Sequence, residues 1–284
     1  MINVRPSIPA DIPAQRELWK LAFGDSGDYV DNFYTTYYRP ERVLVLEEDG
    51  VVRSMTAWFD TALVLPGRGE YRAAYLYAVA THPDCRGRGL AAKLLSAADA
   101  HFQFLGIPAV TTVPAEPSLH RFFGANGFRE YFTHDQMVWK TEDAEPLTSP
   151  FRLQPLEPEE YGRLRETILA ETPHIAFPVD ALAYQAGCCR LSGGGLYAAK
   201  TAAGMAVLCA EGMEDGSLML KELVGCPSAR GQVLSGLRPL LPRFGGRYRT
   251  PGEQTKFGML KWLDKEFCAG WDWASTAYLG LGFD

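Results

Sequence analysis

An Arg-Gly-Arg-Gly tetrapeptide at residues 86–89 stands between a predicted strand and a predicted helix. Backbone amides converge at the beginning of a helix, where the helix dipole favours negative charge, so such a turn can hold a phosphate. Gly87 and Gly89 carry no Cβ to obstruct a diphosphate and reach backbone angles closed to other residues. Arg86 and Arg88 add positive charge. These residue types and their spacing predict diphosphate binding, whereas the alternative is an ordinary arginine-bearing turn into a helix.

The elements on either side of this turn must position it. Residues 71–81 are rich in aromatic and small side chains, which predicts a long strand running into the turn. Apolar residues then recur at helical spacing from Leu90, and Gly106 with Pro108 predicts the end of that helix. Residues 109–113 predict another strand. Because strand-helix-strand crossovers are right-handed, the two strands are expected to be parallel neighbours.

Three segments of the first half, taken in order, carry a family resemblance. Arg86, Gly89 and Ala91 fit the pattern Arg or Gln, two residues, Gly, one residue, then Gly or Ala. Residues 77–83 are similar to a strand that splays from its neighbour, and residues 122–128 are similar to a closing Leu-Tyr-x-x-x-Gly-Phe motif. Over roughly residues 40–140 the chain thus resembles the GNAT superfamily of acyl-CoA N-acyltransferases. A dinucleotide-binding fold is disfavoured because its Gly-x-Gly-x-x-Gly pattern and following acidic residue are missing.

The resemblance implies a set of residues that contact acetyl-CoA or a related acyl-CoA. The splayed strand would offer backbone hydrogen bonds to pantetheine, the glycine turn would cradle the diphosphate, and the 118–119 segment would lie near the far arm of the coenzyme. The implied binding residues are Val79, Ala80, Thr81, Arg86, Gly87, Arg88, Gly89, Leu90, Ala91, Ala92, Ser118, Leu119 and Phe123.

Catalysis requires that an alkylammonium lose a proton and that the leaving thiolate depart. In the family the Tyr of the closing motif usually donates a proton to the thiolate, and Phe123 stands at that position here. Either another hydroxyl or water serves, or the site binds acyl-CoA without turning it over. Tyr75 and Tyr77 alternate onto one face of the strand, which makes them candidates to line the acceptor pocket or relay a proton, the alternative being core aromatics.

The last residue, Asp284, follows an apolar segment and brings two carboxylates close together. Tandem members that resemble the enhanced intracellular survival acetyltransferases bring their chain-terminal carboxylate into the first domain's active site as the base. This distant similarity implies the same role for Asp284, while the alternative is an ordinary edge strand.

The length of 284 residues predicts two domains. Residues 141–150 have the composition of a linker, and the order of predicted elements after it repeats that before it. Arg230 and Gly231 survive in the second half, but Val233 stands where the second glycine belongs. We therefore expect an α+β fold of two tandem GNAT-like domains, each a mixed, mostly antiparallel sheet flanked by helices in three layers. Their predicted bounds are 1–140 for the acyl-CoA-binding domain and 151–284 for a diverged domain without the phosphate turn.

Composition excludes several other classes of protein. A net charge of −6 disfavours binding to nucleic acid, and no apolar run approaches the roughly 20 residues of a membrane helix. The six cysteines form no Cys-x-x-Cys pair, which argues against a disulfide framework or a zinc site, and no signal peptide is recognised. A soluble cytoplasmic protein without a metal is expected.

The predicted function is acetyl-CoA-dependent transfer of an acetyl group to an amine of a small molecule or peptide. Aminoglycosides, polyamines, amino acids and peptide N-termini all stay open as acceptors, and a homodimer stays open as the assembly. Two alternatives belong to other classes. One is a catalytically silent CoA-binding sensor, and the other is an aminoacyl transferase of the tandem GNAT type that uses charged transfer RNA, against which the acidic composition argues.

Overall fold

A computed structural model describes residues 1–140, 149–238 and 245–283 of the chain. Strands and helices alternate through both halves, and the expected α+β fold is confirmed. The chain divides into two compact units. The first comprises Met1–Leu63, Glu70–Tyr131 and Gly258–Ser275; the second comprises Val64–Gly69, Phe132–Phe257 apart from the gaps just given, and the described residues from Thr276 onward. None of the helices in the described ranges combines the length and the apolar character that a membrane span needs.

The described residues form twelve strands and eight α-helices. The strands are β1 (Ile2–Pro6), β2 (Val43–Glu48), β3 (Val51–Leu65), β4 (Gly69–Thr81), β5 (Ala109–Thr112), β6 (Arg129–Trp139), β7 (Arg152–Pro155), β8 (His174–Ala176), β9 (Gly195–Thr201), β10 (Gly204–Gly212), β11 (Leu218–Gly225) and β12 (Gly246–Trp262). The helices are α1 (Ile12–Phe23), α2 (Gly27–Thr36), α3 (Leu90–Phe104), α4 (Pro117–Ala125), α5 (Pro158–Ile168), α6 (Val179–Leu191), α7 (Pro227–Leu237) and α8 (Lys265–Gly270).

The sheet of the first unit follows the order β1-β2-β3-β4-β5 and continues with the end of β12. Strands β1, β2 and β3 pair antiparallel, and the β2–β3 turn places Asp49 and Gly50 at φ of 52° and 79°, the left-handed angles of a tight hairpin. Strands β4 and β5 pair in parallel, which confirms the predicted crossover through α3. On its other side β5 pairs antiparallel with Met259–Trp262 of β12.

Helix α3 packs against this sheet through a stripe of buried residues. Leu90, Leu94, Ala98 and Phe102 recur at helical spacing and are all buried in one core cluster together with side chains of β4, β5 and α4. Gly106, at φ 67°, follows the end of the helix as the sequence predicts. This packing fixes the beginning of α3 beside the end of β4.

The second unit repeats this order of elements. Its strands follow the order β12-β11-β10-β9-β7, with β6 also pairing with β12. The pairs β7–β9, β9–β10 and β10–β11 are antiparallel, whereas β11 and the beginning of β12 are parallel. Helix α7 follows β11 and buries Val233 and Leu237 in the core of the unit. The second half therefore has the order of elements expected of a diverged copy.

The compact units are not contiguous in sequence. Strand β12 contributes 246–257 to the second unit and 258–262 to the first, and β6 is divided between them at 131–132. Most of the predicted linker, residues 141–148, lies outside the described residues. The linear division at 141–150 stays a prediction. Each compact unit contains residues from before and after that segment.

Candidate active site

Strand β4 extends beyond the end of its partner β5 at the edge of the candidate site. Its pairing with β5 runs from Ala73–Ala109 to Leu76–Thr112, yet β4 continues to Thr81. The backbone of residues 77–81 thus extends beyond the β4–β5 ladder, on the strand segment that contains Val79, Ala80 and Thr81.

A bulge in β4 accompanies this splay. Ala78 has a φ of 51°, in the left-handed region that alanine rarely adopts. Ala74 and Leu76 belong to the core beneath α3, and Val79 packs against that same core, so the inward-facing positions change from even to odd across Ala78. One extra residue in a strand produces such a change. The bulge therefore sets which groups of residues 79–81 face outward.

Two buried hydroxyls of β3 hold the bulged segment. The Ser54 hydroxyl donates to the carbonyl oxygen of Ala80 at 2.7 Å and lies 2.8 Å from the Thr81 hydroxyl. The Thr56 hydroxyl is 3.3 Å from the carbonyl oxygen of Tyr77. Both Ser54 and Thr56 are fully buried. These bonds stabilise the non-repetitive backbone from the β3 side.

The glycine turn follows directly and is exposed. Gly87 and Gly89 have φ of 76° and 75°, and a Cβ added at either position would have no heavy atom within 4 Å. The glycines are thus required for backbone conformation, not for close packing within the protein. Gly89 is the N-cap of α3 and has no side chain to satisfy the first amides of the helix. The turn presents open space and backbone donors to an anion.

The two arginines of the turn are already engaged within the first unit. The Arg88 guanidinium donates to both carboxylate oxygens of Glu48, at 3.0 and 2.6 Å. This hydrogen bonding lowers the pKa of Glu48. The Nε of Arg86 lies 3.3 Å from the carbonyl oxygen of Thr81. The backbone amides, more than the arginine side chains, are therefore directed at the open face of the turn.

The two residues that follow Leu90 in α3 are partly accessible. Leu90 itself is buried, whereas Ala91 and Ala92 are half-buried on the first turn of the helix. Small side chains at these positions leave room for a ligand to approach the first turn.

Helix α4 carries the predicted far-arm residues. Ser118 is exposed and its hydroxyl donates to Glu116, while Leu119 packs against the core beneath α3. Phe123 is only 4% exposed, and its ring centroid lies 5.2 Å from that of Phe122 and 5.4 Å from that of Phe128. Phe123 therefore contributes an apolar ring and no proton donor.

Tyr75 and Tyr77 share the sheet face opposite α3, where α1 and α2 pack. Tyr75 is 1% exposed, whereas Tyr77 is half-buried and its hydroxyl lies 3.4 Å from the hydroxyl of Tyr29 on α2. The Tyr77 ring lies 5.4 Å from that of Trp19 and 6.0 Å from that of Phe33. The aromatic cluster orients the Tyr77 ring and so the Tyr29–Tyr77 hydroxyl pair.

Lys261 connects helix α3 with the end of helix α4 through polar contacts. Its ammonium donates to the Asp99 carboxylate on α3 and, at 2.7 Å, to the carbonyl oxygen of Asn126 just after α4. Burial raises the pKa of Asp99, and Lys261 opposes that increase. Lys261 comes from β12, so a residue of the second half of the chain completes this part of the first unit.

The corresponding turn of the second unit has lost these features. Helix α7 begins at Pro227, which has no backbone N–H, and the guanidinium of Arg230 donates to the Thr250 hydroxyl. Val233 is fully buried. Among the described residues, this turn of the second unit therefore lacks the open glycine geometry of the turn before α3.

The type and spacing of several residues in the site do not reveal their role. Ala78 is not a glycine, and Tyr29, Glu48 and Lys261 are distant in sequence from the groups they contact. The alternating hydroxyls of Ser54 and Thr56 in an apolar strand are the one pattern that could have been noticed.

Asp284 lies outside the described residues. Within those residues, no group of three or more His, Cys, Asp or Glu side chains could hold a metal ion.

Part of the chain matches a known protein family. Residues 3–127 match the family model described as an acetyltransferase (GNAT) domain. No curated protein matches the chain.

Solved structures extend the likeness over both halves. A GCN5-related N-acetyltransferase from Kribbella flavida is 17% identical with a TM-score of 0.68, over 93% of this chain and 71% of that one. A GCN5-related N-acetyltransferase from Anabaena variabilis is 14% identical with a TM-score of 0.71, over 93% and 73%. Eis1 from Mycobacterium abscessus is 14% identical with a TM-score of 0.67, over 92% and 74%. At these identities the likeness shows a shared fold.

Proposed function

We propose that the protein transfers an acetyl group from acetyl-CoA to an amine of a small molecule or peptide, because residues 3–127 match the family model described as an acetyltransferase (GNAT) domain. The observation that carries the proposal is the turn before α3. It combines two glycines at left-handed angles, open space above both, and the uncapped first amides of a helix. A diphosphate fits this arrangement because its oxygens need several convergent donors and close backbone approach.

The proposed position of the rest of the coenzyme is based on the geometry of β4. Pantetheine carries amide groups that would pair with the backbone of Val79, Ala80 and Thr81, beyond the point where β5 stops pairing. Ser118 and Leu119 on α4 would flank the far arm. With the coenzyme in this position, its thioester would lie near the point where β4 and β5 stop pairing.

The acceptor amine would approach from the face that bears Tyr75 and Tyr77. Its nitrogen must be unprotonated to attack the thioester carbon, and the proton it loses needs a path to solvent. The hydroxyl pair of Tyr77 and Tyr29 offers such a path. Asp284 remains the residue proposed as the general base from the family resemblance.

The leaving thiolate has no tyrosine to protonate it at position 123. A thiolate is a far weaker base than an alkoxide or an amide anion, so it departs without obligatory assistance. Turnover is therefore compatible with Phe123, at a reduced rate.

A second function, CoA sensing without catalysis, is favoured by the same buried Phe123. The two functions share the coenzyme turn and differ in chemistry. An acetyltransferase releases free thiol in proportion to an added amine, whereas a sensor binds acetyl-CoA and releases none.

The experiment has two stages. Acetyl-CoA at about 100 times Kd should stabilise the fold by about 2.7 kcal/mol, measured by thermal unfolding. Thiol release is then followed with a panel containing an aminoglycoside, a polyamine, an amino acid and a peptide. No stabilisation would contradict both functions, and stabilisation without thiol release from any amine would favour the sensor. A requirement for aminoacylated RNA would instead indicate aminoacyl transfer.

A further inference from the structure

A cavity of about 300 Å³ lies inside the second unit, between the β10–β11 connection and the first residues of β12. Its volume is at the lower end of that of small-molecule pockets. It lies apart from the counterpart of the coenzyme turn, because β11 leads away from the cavity toward Gly225 and α7. A ligand in this cavity would therefore not be held as acyl-CoA is held in the first unit.

The charged residues of the cavity wall include three cations and two carboxylates. The cations are Lys221, Arg247 and Arg249, and the carboxylates are Glu211 and Asp215. Their sum is one positive charge when all are ionised. Backbone and side-chain hydrogen bonds from Ser217 lower the pKa of Asp215, so that carboxylate is charged at neutral pH.

Both carboxylates are already paired within the protein. Glu211 lies 3.4 Å from the ammonium of Lys221 and accepts a hydrogen bond from the side chain of Gln185 at 2.6 Å. Asp215 accepts a hydrogen bond from the backbone amide of Ser217 at 2.8 Å. Lys221 compensates the charge of Glu211, and the positive charge of Arg247 helps to lower the pKa of Asp215. The net positive charge of the cavity is therefore carried by the arginine pair, which outweighs Asp215 by one.

The strand geometry brings those arginines together. Arg247 and Arg249 are two residues apart on β12, which places them on the same side of the strand. The Nε of Arg249 donates to the side chain of Gln136 at 3.3 Å, and its guanidinium lies 4.7 Å from the centre of the Phe257 ring. Arg249 is therefore held in place, whereas Arg247 is exposed at the rim. Paired guanidinium groups suit carboxylate and phosphate oxygens because of their planar sets of donors.

A bulge in β11 builds the inner wall. The pairing of β11 with β10 steps from Leu220–Ala210 to Glu222–Cys209, which leaves Lys221 as the extra residue. Lys221 is only 4% exposed, yet it lines the cavity. Burying an ammonium costs free energy unless the charge is paired. Lys221 is paired with Glu211, and together these side chains form a polar part of the cavity wall.

We propose that this cavity binds a small organic anion through carboxylate or phosphate oxygens, with Arg247 and Arg249 as the recognition pair. The second unit is then a ligand-binding domain in its own right, and this role goes beyond acetyl transfer.

The test is calorimetric titration of the full chain, without acetyl-CoA, using succinate, citrate and inorganic phosphate as separate probes. We expect saturable one-to-one binding of at least one probe, with affinity at least about tenfold weaker in Arg247→Ala/Arg249→Ala. The control is Arg190→Ala, which removes an exposed arginine of α6 that is not part of the cavity wall. A preference for the carboxylates or for phosphate identifies the group that is recognised.

Two results would overturn the proposal: no saturable binding of any probe, or equal affinities of the wild type and the double variant. Circular dichroism checks that each variant is folded. If the double variant is not, Arg247→Glu alone decides, because Arg247 is exposed and reversing its charge should abolish binding. The titration needs no acetyl-CoA, so its failure leaves the acetyltransferase proposal untouched.

Discussion

Replacing Gly89 by alanine separates the folding role of the turn before α3 from its proposed role in binding acetyl-CoA. The φ of 75° is unfavourable for an L-residue, and a Cβ at this position meets no heavy atom within 4 Å. The folding cost is therefore conformational alone, about 1–2 kcal/mol. In a protein of this size that loss should lower the melting temperature by roughly 2–8 °C.

The effect on acetyl-CoA binding should come in addition to this folding cost. The new methyl group would occupy the space above the turn, where the proposal puts the diphosphate, and would hold its oxygens away from the first amides of α3. We expect affinity to fall at least about tenfold, which is about 1.4 kcal/mol. At a concentration that is about 100 times the wild-type Kd, stabilisation by acetyl-CoA would then fall from about 2.7 to about 1.4 kcal/mol.

The assay is thermal unfolding of wild type and variant with and without acetyl-CoA. Gly67→Ala is a matched control, because Gly67 also has a left-handed φ of 72° and free space around it, but lies in the β3–β4 turn. Both variants should melt at similar temperatures without ligand, and only Gly89→Ala should lose the shift caused by acetyl-CoA. An undiminished shift in Gly89→Ala would refute diphosphate binding at this turn.

Four other substitutions or deletions have defined outcomes. Phe123→Tyr should raise kcat roughly tenfold with KM for acetyl-CoA unchanged in steady-state assays, a gain below the usual range for acid catalysis because a thiolate leaves readily. Glu48→Gln should tighten acetyl-CoA binding about two- to fivefold by calorimetry, because it releases the Arg88 guanidinium and removes a negative charge beside the turn. Lys261→Met should lower the free energy of unfolding in urea by about 1–3 kcal/mol, more at pH 8 than at pH 5, because it leaves the half-buried Asp99 carboxylate without its cation. Deleting Asp284 should lower turnover far more than it weakens acetyl-CoA binding.

The pH dependence of the Lys261 variant has a defined sign. Burial raises the pKa of Asp99 above its unfolded value, so its contribution to stability is present below the unfolded pKa and is lost as pH rises through the folded one. Removing Lys261 raises the folded pKa further, and the loss then extends to higher pH. Lys256→Met, on an exposed part of β12, is the control; an equal loss at both pH values, or an equal loss in the control, would contradict the ion-pair argument.

Controls for the other changes follow from the same geometry. Glu41→Gln removes an exposed carboxylate away from the turn and should leave acetyl-CoA affinity unchanged. A Phe123→Tyr enzyme with wild-type kcat would show that position 123 does not reach the thiolate. Turnover that survives deletion of Asp284 would eliminate that residue as the base.

The glycine turn was predictable because glycine at successive alternate positions is a direct mark of left-handed backbone. The parallel β4–β5 pair was predictable as well, since the handedness of the crossover leaves one arrangement. The bulge at Ala78 was not, because alanine carries no such mark and the hydroxyls that bond the backbone on either side of it come from a neighbouring strand. Pairings such as Tyr29 with Tyr77 and Arg88 with Glu48 depend on folding across 40 or more residues, which spacing does not encode.

The pairing of β5 with a segment far along the chain was also not predictable from the sequence. A linker-like composition at 141–150 indicates where the chain is polar, but it does not indicate which strand will pair with β5. That partner is Met259–Trp262, about 150 residues later in the chain. The linear division at 141–150 stays a prediction, and the non-local pairing explains why the compact units are not contiguous in sequence.

This late partner has a consequence for biosynthesis. Until the segment around Met259 leaves the ribosome, β5 has an unpaired edge and the core of the first unit lacks the buried Met259 side chain. At ordinary translation rates the nascent first half waits on the order of ten seconds for its missing strand. The first unit can therefore complete its sheet only after this late segment has been made.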